Sequence, residues 1–228
     1  GSTSPAALQS RVLSESADVG IAFDGDGDRV QCVAADGSVV DGDELLYVIA
    51  NDRLQWGEAL HGVVGTLMSN LGMEQALADI GVELERAQVG DRYVQELMAE
   101  KGWLLGGEAS GHIICADLTT TGDGIVAALQ VMAAMARSGE TLVALKSELH
   151  KLPQTLINVG VRDGFVLEEA EKVIAASQHV ADVLGDRGRL VLRSSGTEPL
   201  IRVMIEGADA KENQRLAEGV AEAIRQSH

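Results

Sequence analysis

Asp24-Gly25-Asp26-Gly27-Asp28-Arg29 sets three carboxylates at two-residue spacing and closes them with a guanidinium. The runs on either side, Val19-Gly20-Ile21-Ala22-Phe23 and Val30-Gln31-Cys32-Val33-Ala34, are short, apolar and strand-like. Three like charges this close repel one another unless a cation sits among them. The glycines allow sharp turns that aim neighbouring carboxylates at one point, and oxygen-only ligands suit a hard ion, Mg²⁺ or Ca²⁺. An EF-hand loop starting at Asp24 needs glycine at its sixth position and glutamate at its twelfth. Arg29 and Ala35 stand there, between strands rather than helices, which rejects that motif. A solvated acidic turn in a hairpin is the plain alternative. The attached arginine points to phosphate chemistry, where a metal neutralises some oxygens and a guanidinium forks onto others.

The 228 residues suffice for one to three compact domains with real cores. No apolar run approaches the length that spans a membrane and no signal peptide opens the chain, so the expectation is a soluble, cytoplasmic protein. A formal charge of −17 argues against nucleic acid or an anionic membrane as partner. It also gives weight to any local basic cluster, because an acidic protein that binds phosphate must concentrate its positive charge. Cys32 and Cys115 sit in strand-like apolar runs without metal-ligand spacing, which predicts two buried free thiols.

Residues 6–13 have the pattern of a short helix, with Ser4 as N-cap and Pro5 at the first position. A hairpin with so little chain before it lacks partners for its sheet. Residues 1–40 are therefore expected to be the C-terminal part of a domain that begins outside this sequence. From Asp41 the pattern alternates: a helix over 43–54, a strand over 62–68, a helix capped by Ser69 and stopped at Gly81, and a strand over 82–89. Gly90-Asp91-Arg92 opens a helix carrying Tyr93, Val94, Leu97 and Met98 on one face. Strands over 103–105 and 112–115 flank a glycine-rich turn, and helices follow from Asp123 to Gly139 and over 141–149. This alternation predicts an α/β layer structure for 41–150. The pattern breaks at Lys151-Leu152-Pro153, which reads as a linker. Residues 154–228 give strands over 155–161, 189–193 and 201–206 and helices over 167–184 and 210–224, a small α+β domain with a mainly antiparallel sheet.

A second candidate for chemistry is Gly106-Gly107-Glu108-Ala109-Ser110-Gly111-His112. Polar groups on a turn at strand ends are well positioned to bind a polyol. Glu108 can accept from two vicinal hydroxyls, and Ser110 can donate or accept. His112 is either a proton shuttle near neutral pH or a satisfied histidine at a strand start. The third candidate is Arg193-Ser194-Ser195-Gly196-Thr197-Glu198-Pro199, with Arg202 beyond it. Hydroxyls, glycine N–H groups and two arginines fit a phosphate monoester. A glycine-rich turn with one acid and a polar hairpin with capping hydroxyls are the plain alternatives. Arg187 and Arg189 read as solvent-facing, His61, His150 and His179 as surface residues, Met132 and Met135 as core, and Gly122-Asp123-Gly124 as a helix cap.

In this order and together, DGDGDR, GEASGH and RSSGTEP resemble the site loops of the α-D-phosphohexomutase superfamily. Gly65-Thr66-Leu67-Met68-Ser69-Asn70, Val89-Gly90-Asp91-Arg92-Tyr93-Val94 and Thr119-Thr120-Thr121-Gly122-Asp123-Gly124 are similar to the bacterial phosphoglucosamine mutases within it. The resemblance covers the whole chain but only part of a four-domain architecture. It implies the end of domain 2 over 1–40, domain 3 over 41–150 and domain 4 over 154–228. It further implies that Asp24, Asp26 and Asp28 bind Mg²⁺ and that Arg29 lies beside the transferring phosphoryl group. Glu108 and Ser110 are implied to hold sugar hydroxyls with His112 nearby, and Arg193, Ser195, Gly196, Thr197 and Arg202 to grip the non-reacting phosphate. Ser194 stands where the family often has lysine. The implied reaction interconverts glucosamine 6-phosphate and glucosamine 1-phosphate through a phosphoserine and a 1,6-bisphosphate, feeding UDP-N-acetylglucosamine and peptidoglycan precursors. The phosphorylated serine belongs to the family's first domain, and no serine here has its Ser-His-Asn-like context. The chain is accordingly expected to be inactive alone and to work with N-terminal domains of the same protein. A homodimer of the full-length enzyme is compatible with this reading. Mannose or glucose phosphates as substrates, or a non-catalytic sugar-phosphate-binding module, are the alternatives.

Overall fold

Asp41 shows how this chain commits to a helix. Its carboxylate accepts the N–H of Glu44 while the Glu44 carboxylate accepts the N–H of Asp41, so two otherwise orphaned donors are satisfied at once. The computed structural model describes residues 2, 4–162, 164–195 and 198–227. It divides into two compact units, Gly1–His150 and Lys151–His228.

In the first unit, helix α1 (Ala6–Glu15) precedes an antiparallel sheet ordered β1-β2-β3, made of β1 (Val19–Phe23), β2 (Val30–Ala34) and β3 (Val39–Val40). Helix α2 (Gly42–Gln55) leads into an alternating layer: β4 (Gly62–Thr66), α3 (Leu71–Asp79), β5 (Glu83–Ala87), α4 (Asp91–Lys101) and β6 (Leu105–Gly107). Strand β7 (Ile113–Cys115) and helices α5 (Gly124–Ser138) and α6 (Leu142–Leu145) complete it. The second sheet is ordered β5-β4-β6-β7, with β4 parallel to both β5 and β6 and β7 antiparallel at one edge. Leu45, Leu46 and Ile49 of α2 are buried with Met73, Leu77, Leu105 and Ile113, and Val30, Cys32 and Val40 of the first sheet join the same core. Both cysteines are buried free thiols, as their apolar setting predicts.

The second unit holds β8 (Gln154–Gly160), α7 (Glu171–Leu184), β9 (Gly188–Ser194), β10 (Leu200–Gly207) and α8 (Ala210–Arg225). Its sheet is ordered β8-β10-β9 and is antiparallel throughout. Val173 and Val180 of α7 and Leu216, Val220 and Ile224 of α8 bury against Val159, Ile201, Val203 and Ile205. Thus the chain is a mixed α/β fold with an antiparallel C-terminal unit.

Several local expectations change. Pro5 rather than Ser4 is the N-cap of α1, and no side chain caps that helix. Asn70 rather than Ser69 caps α3, accepting the Gly72 N–H, while Ser69 Oγ accepts the Thr66 N–H and closes the turn after β4. Of residues 141–149 only Leu142–Leu145 is helical. Met132 is exposed, because the apolar face of α5 is wider than the core it meets. Arg189 does not face solvent: its Nε lies 2.6 Å from Oε2 of the fully buried Glu206.

Candidate active site

Strands β1 and β2 stay in register up to Phe23↔Val30, which leaves residues 24–29 as their turn. Oδ1 of Asp24 accepts the N–H groups of Gly27 and Arg29, each at 3.2 Å, so the first carboxylate shapes the turn itself. Gly27 takes a φ of +80°, a conformation that glycine tolerates best. Carboxylate oxygens of Asp24, Asp26 and Asp28 come within 4.8 Å of one another. Desolvation pushes the Asp28 carboxyl above the usual range, and the neighbouring Asp24 and Asp26 push it the same way. Asp24 is also desolvated, which alone would raise it, yet the Arg29 N–H, the Asp28 carboxyl and the Gly27 N–H together hold it below the usual range. Oδ1 of Asp28 is buried with no hydrogen-bond partner. An orphaned carboxylate oxygen within a cluster of three acids fits a hard divalent cation, and the all-oxygen set fits Mg²⁺ or Ca²⁺. Arg29 Nε lies 3.8 Å from Asp24 Oδ2, with its side chain about half exposed.

The glycine-rich turn begins at the C-terminal end of β6, the edge at which open α/β sheets bind ligands. It is tight: the Glu108 N–H donates to the His112 carbonyl at 3.0 Å and the Gly111 N–H to the Glu108 carbonyl at 2.9 Å. Two further backbone bonds tie it to distant segments, and a third holds the acidic turn to the start of α5. The Val30 N–H donates to the Gly111 carbonyl, the Gly42 N–H to the Ala109 carbonyl, and the Gly124 N–H to the Gly27 carbonyl. Gly111 has a φ of +93°, and a Cβ there would stand 2.0 Å from the Val30 carbonyl oxygen. These bonds put the two loops on one scaffold, with buried His112 Nε2 3.6 Å from Asp28 Oδ2. Oε1 of Glu108 accepts the Gly90 N–H at 3.1 Å. Ser110 is exposed at the tip of the turn.

Gly42, Gly90, Gly122 and Gly124 belong to this frame, although the sequence marks the last three only as helix starts. A Cβ at Gly122 would stand 2.3 Å from the His112 ring, and one at Gly42 2.0 Å from the Glu108 carbonyl oxygen. The available signal was glycine at the first helical positions of α2 and α5, where its low propensity has no local justification.

In the second unit, Arg193 of β9 pairs in register with Arg202 of β10. Burial first, and then the Arg202 charge, lowers the Arg193 pKa. The Nε atoms of both are buried without a hydrogen-bond partner. Like charges directly opposite one another destabilise a strand pair, and two guanidinium forks with orphaned donors suit an anion between them. The Ser195 N–H donates to the Leu200 carbonyl at 2.9 Å and starts the turn. Gly196 and Thr197 lie outside the described residues.

Residues 41–152 match the family model for phosphoglucomutase/phosphomannomutase alpha/beta/alpha domain III, and residues 156–223 match that for the C-terminal domain. A phosphoglucosamine mutase of Methylococcus capsulatus is 57% identical over 224 residues, covering 98% of this chain and 50% of the relative. One from Escherichia coli is 54% identical, covering 99% of this chain and 51% of the relative. The chain therefore spans about half the length of the curated relatives it matches. Among solved structures, a phosphoglucomutase/phosphomannomutase family protein of Burkholderia thailandensis superposes with a TM-score of 0.78 at 22% identity, covering 99% of this chain and 51% of that one. Aspergillus fumigatus N-acetylphosphoglucosamine mutase, solved with GlcNAc-6P and magnesium, gives 0.74 at 23% identity, covering 91% and 48%. At these identities the structural likeness speaks for the fold alone.

Proposed function

This chain belongs to the phosphoglucomutase/phosphomannomutase family, and on that premise we propose that it is the metal-, sugar- and phosphate-binding portion of a phosphoglucosamine mutase. The reaction is the interconversion of glucosamine 6-phosphate and glucosamine 1-phosphate in the cytoplasm, supplying UDP-N-acetylglucosamine and peptidoglycan precursors. The observation that carries this reading is the backbone joining of the acidic turn to the Glu108–His112 turn, with Asp28 beside His112. It puts the acidic turn and the Glu108 carboxylate on one scaffold, which supports reading them as parts of one site. The choice of an amino sugar follows the phosphoglucosamine mutases at 57% and 54% identity.

Asp24, Asp26 and Asp28 would hold Mg²⁺, which supplies charge neutralisation on phosphoryl oxygens. Arg29 meets the transferring phosphoryl group with its exposed guanidinium. Glu108 keeps one carboxylate oxygen on the Gly90 N–H and uses the other to orient sugar hydroxyls, assisted by Ser110. His112, buried against Asp28, acts at the reacting end. Arg193, Arg202 and Ser195, with Gly196 and Thr197, hold the non-reacting phosphate. The phosphoryl group comes from a phosphoserine on a part of the protein outside this chain and passes through a 1,6-bisphosphate. Positioning and charge neutralisation, rather than covalent help from this chain, are what such a transfer requires.

The test mixes this chain with the preceding half of the Methylococcus relative, using glucosamine, mannose and glucose 6-phosphates with Mg²⁺. Turnover is expected in the mixture only, and fastest with glucosamine 6-phosphate. Turnover by the chain alone overturns the external phosphoserine, and a preference for mannose or glucose overturns the sugar assignment.

A further inference from the structure

Strand β8 completes a row that the two arginines begin. Ile157 and Val159 of β8, Ile201 and Val203 of β10 and Leu192 of β9 pack into the core of the second unit with α7 and α8. Side chains alternate across a strand, so Asn158, Arg202 and Arg193 stand on the opposite face, away from both helices. The register pairs Arg202 with Asn158 on one side and with Arg193 on the other. The three side chains therefore form one row about 10 Å across. It lies at the turn end of the sheet. The Ser195 N–H donates to the Leu200 carbonyl and the Val161 N–H to the Pro199 carbonyl, each at 2.9 Å, so β8 ends against the same turn that follows Arg193.

Two residues at this end of β8 have no purpose in the fold. Asn158 is exposed, and among the described residues its carboxamide has no hydrogen-bond partner, although asparagine is depleted in strands. Gly160 has no positive φ, and a Cβ there would meet nothing within 4 Å. Neither backbone nor packing requires glycine at a position where it weakens a strand. Both residues fall on the face of the arginine row, two positions apart. Anion binding supplies a reason for each. A third cation beside Arg202 would add to the like-charge repulsion in the row, and a carboxylate would compete with phosphate for the guanidiniums. A carboxamide donates N–H without adding charge. Glycine two positions on leaves open the space between that carboxamide and the turn.

We propose that Asn158 is a third phosphate-binding residue, donating from its carboxamide to a phosphate oxygen, and that Gly160 keeps this approach clear. The inference rests on the reading of Arg193 and Arg202 as the grip on the non-reacting phosphate, and it extends that grip from β9 and β10 to β8.

Calorimetry of the 228-residue chain with glucosamine 6-phosphate and with inorganic phosphate tests it. Asn158→Ala is expected to weaken both about three- to tenfold, the range of one neutral hydrogen bond. Asn158→Asp keeps the shape but turns an anion towards the phosphate, and should weaken both on the order of tenfold or more. Gly160→Val should weaken both at least as much as Asn158→Ala does, without loss of denaturant stability, because the fold has room for the side chain. The side-chain amide resonances of Asn158 are expected to shift when inorganic phosphate is added to wild type and to stay in place in Arg202→Met. Wild-type affinity in both Asn158 variants, with Arg202→Met binding more weakly, overturns the inference and leaves the arginine grip standing. Wild-type affinity in Gly160→Val overturns the role of Gly160. No loss in any variant, or no phosphate binding by wild type, overturns the grip and the inference together.

Discussion

Arg193 faces Arg202 directly across the β9–β10 ladder, and the Nε of each is buried without a hydrogen-bond partner. In water this pairing is a liability, since like charges opposite one another weaken a sheet. It becomes an asset when a dianion enters. Replacing Arg202 with Met is expected to stabilise the ligand-free chain by about 0.2–1 kcal/mol. The same change should weaken glucosamine 6-phosphate binding at least tenfold, in line with about 1.5–3 kcal/mol for a charged hydrogen bond. Denaturant unfolding and calorimetry read the two effects, and unchanged affinity would remove Arg202 from the phosphate site.

The acidic turn makes a prediction of opposite electrostatic sign. Mg²⁺ at a hundred times its dissociation constant is expected to stabilise the chain by about 2.7 kcal/mol. Asp26 is exposed and, unlike Asp24, makes no backbone bond that shapes the turn. Asp26→Asn should therefore abolish the Mg²⁺-dependent rise in Tm without lowering Tm in metal-free buffer. A metal-induced shift that survives the substitution would count against the cluster.

Gly111→Ala tests the join between the two loops. A methyl group there meets the Val30 carbonyl at 2.0 Å on a backbone already at φ +93°. Strain of this kind costs on the order of 2 kcal/mol or more, and here relief requires the loops to separate. Loss of stability and loss of Mg²⁺ binding are expected together. Loss of stability with Mg²⁺ affinity intact would show that the acidic turn is independent of its neighbour.

The buried thiols set an alkaline limit. Burial pushes the Cys32 thiol up to about 12 and the Cys115 thiol to about 11, against 9.0 for a free thiol. A pKa raised on folding contributes stability that is complete below pH 9 and is lost as pH rises towards the folded value. Each thiol adds a slope of up to about 1.4 kcal/mol per pH unit in that window. Denaturant unfolding between pH 9 and 11 should show a shallower fall for Cys32→Ala than for wild type, whatever its cost at pH 7. Equal slopes would mean that Cys32 ionises freely in the folded state.

Much of this molecule was legible in its residues because the relevant signals are local. The hairpin around Asp24, the helix opened by Asp123 and the antiparallel C-terminal unit follow from short-range pattern, turn chemistry and burial. The errors came where two residue types compete for one task. Ser69 and Asn70 are both good caps, and the tie is broken by the turn after β4, which claims the Ser69 hydroxyl. Arg189 carries the same side chain as solvent-facing arginines, and only its register opposite the buried Glu206 makes it a core cation. Least legible were Gly42 and Gly122, which look like ordinary helix-start glycines until the Glu108 carbonyl and the His112 ring are seen against them. The Gly42 contact joins residues far apart in sequence, and the Gly122 contact, though its partners are ten residues apart, depends on how the chain folds back after β7.

The backbone bonds from Val30 to Gly111 and from Gly124 to Gly27 also bear on how such proteins can be re-engineered. A loop held by its own ends can be transplanted between relatives, but one whose main chain hydrogen-bonds to a second loop cannot travel alone. A chimera intended to alter sugar preference should exchange residues 24–30 and 106–112 as one block, with the glycines at 42, 122 and 124 kept. Grafting either loop alone separates a backbone donor or acceptor from the segment whose position it matches.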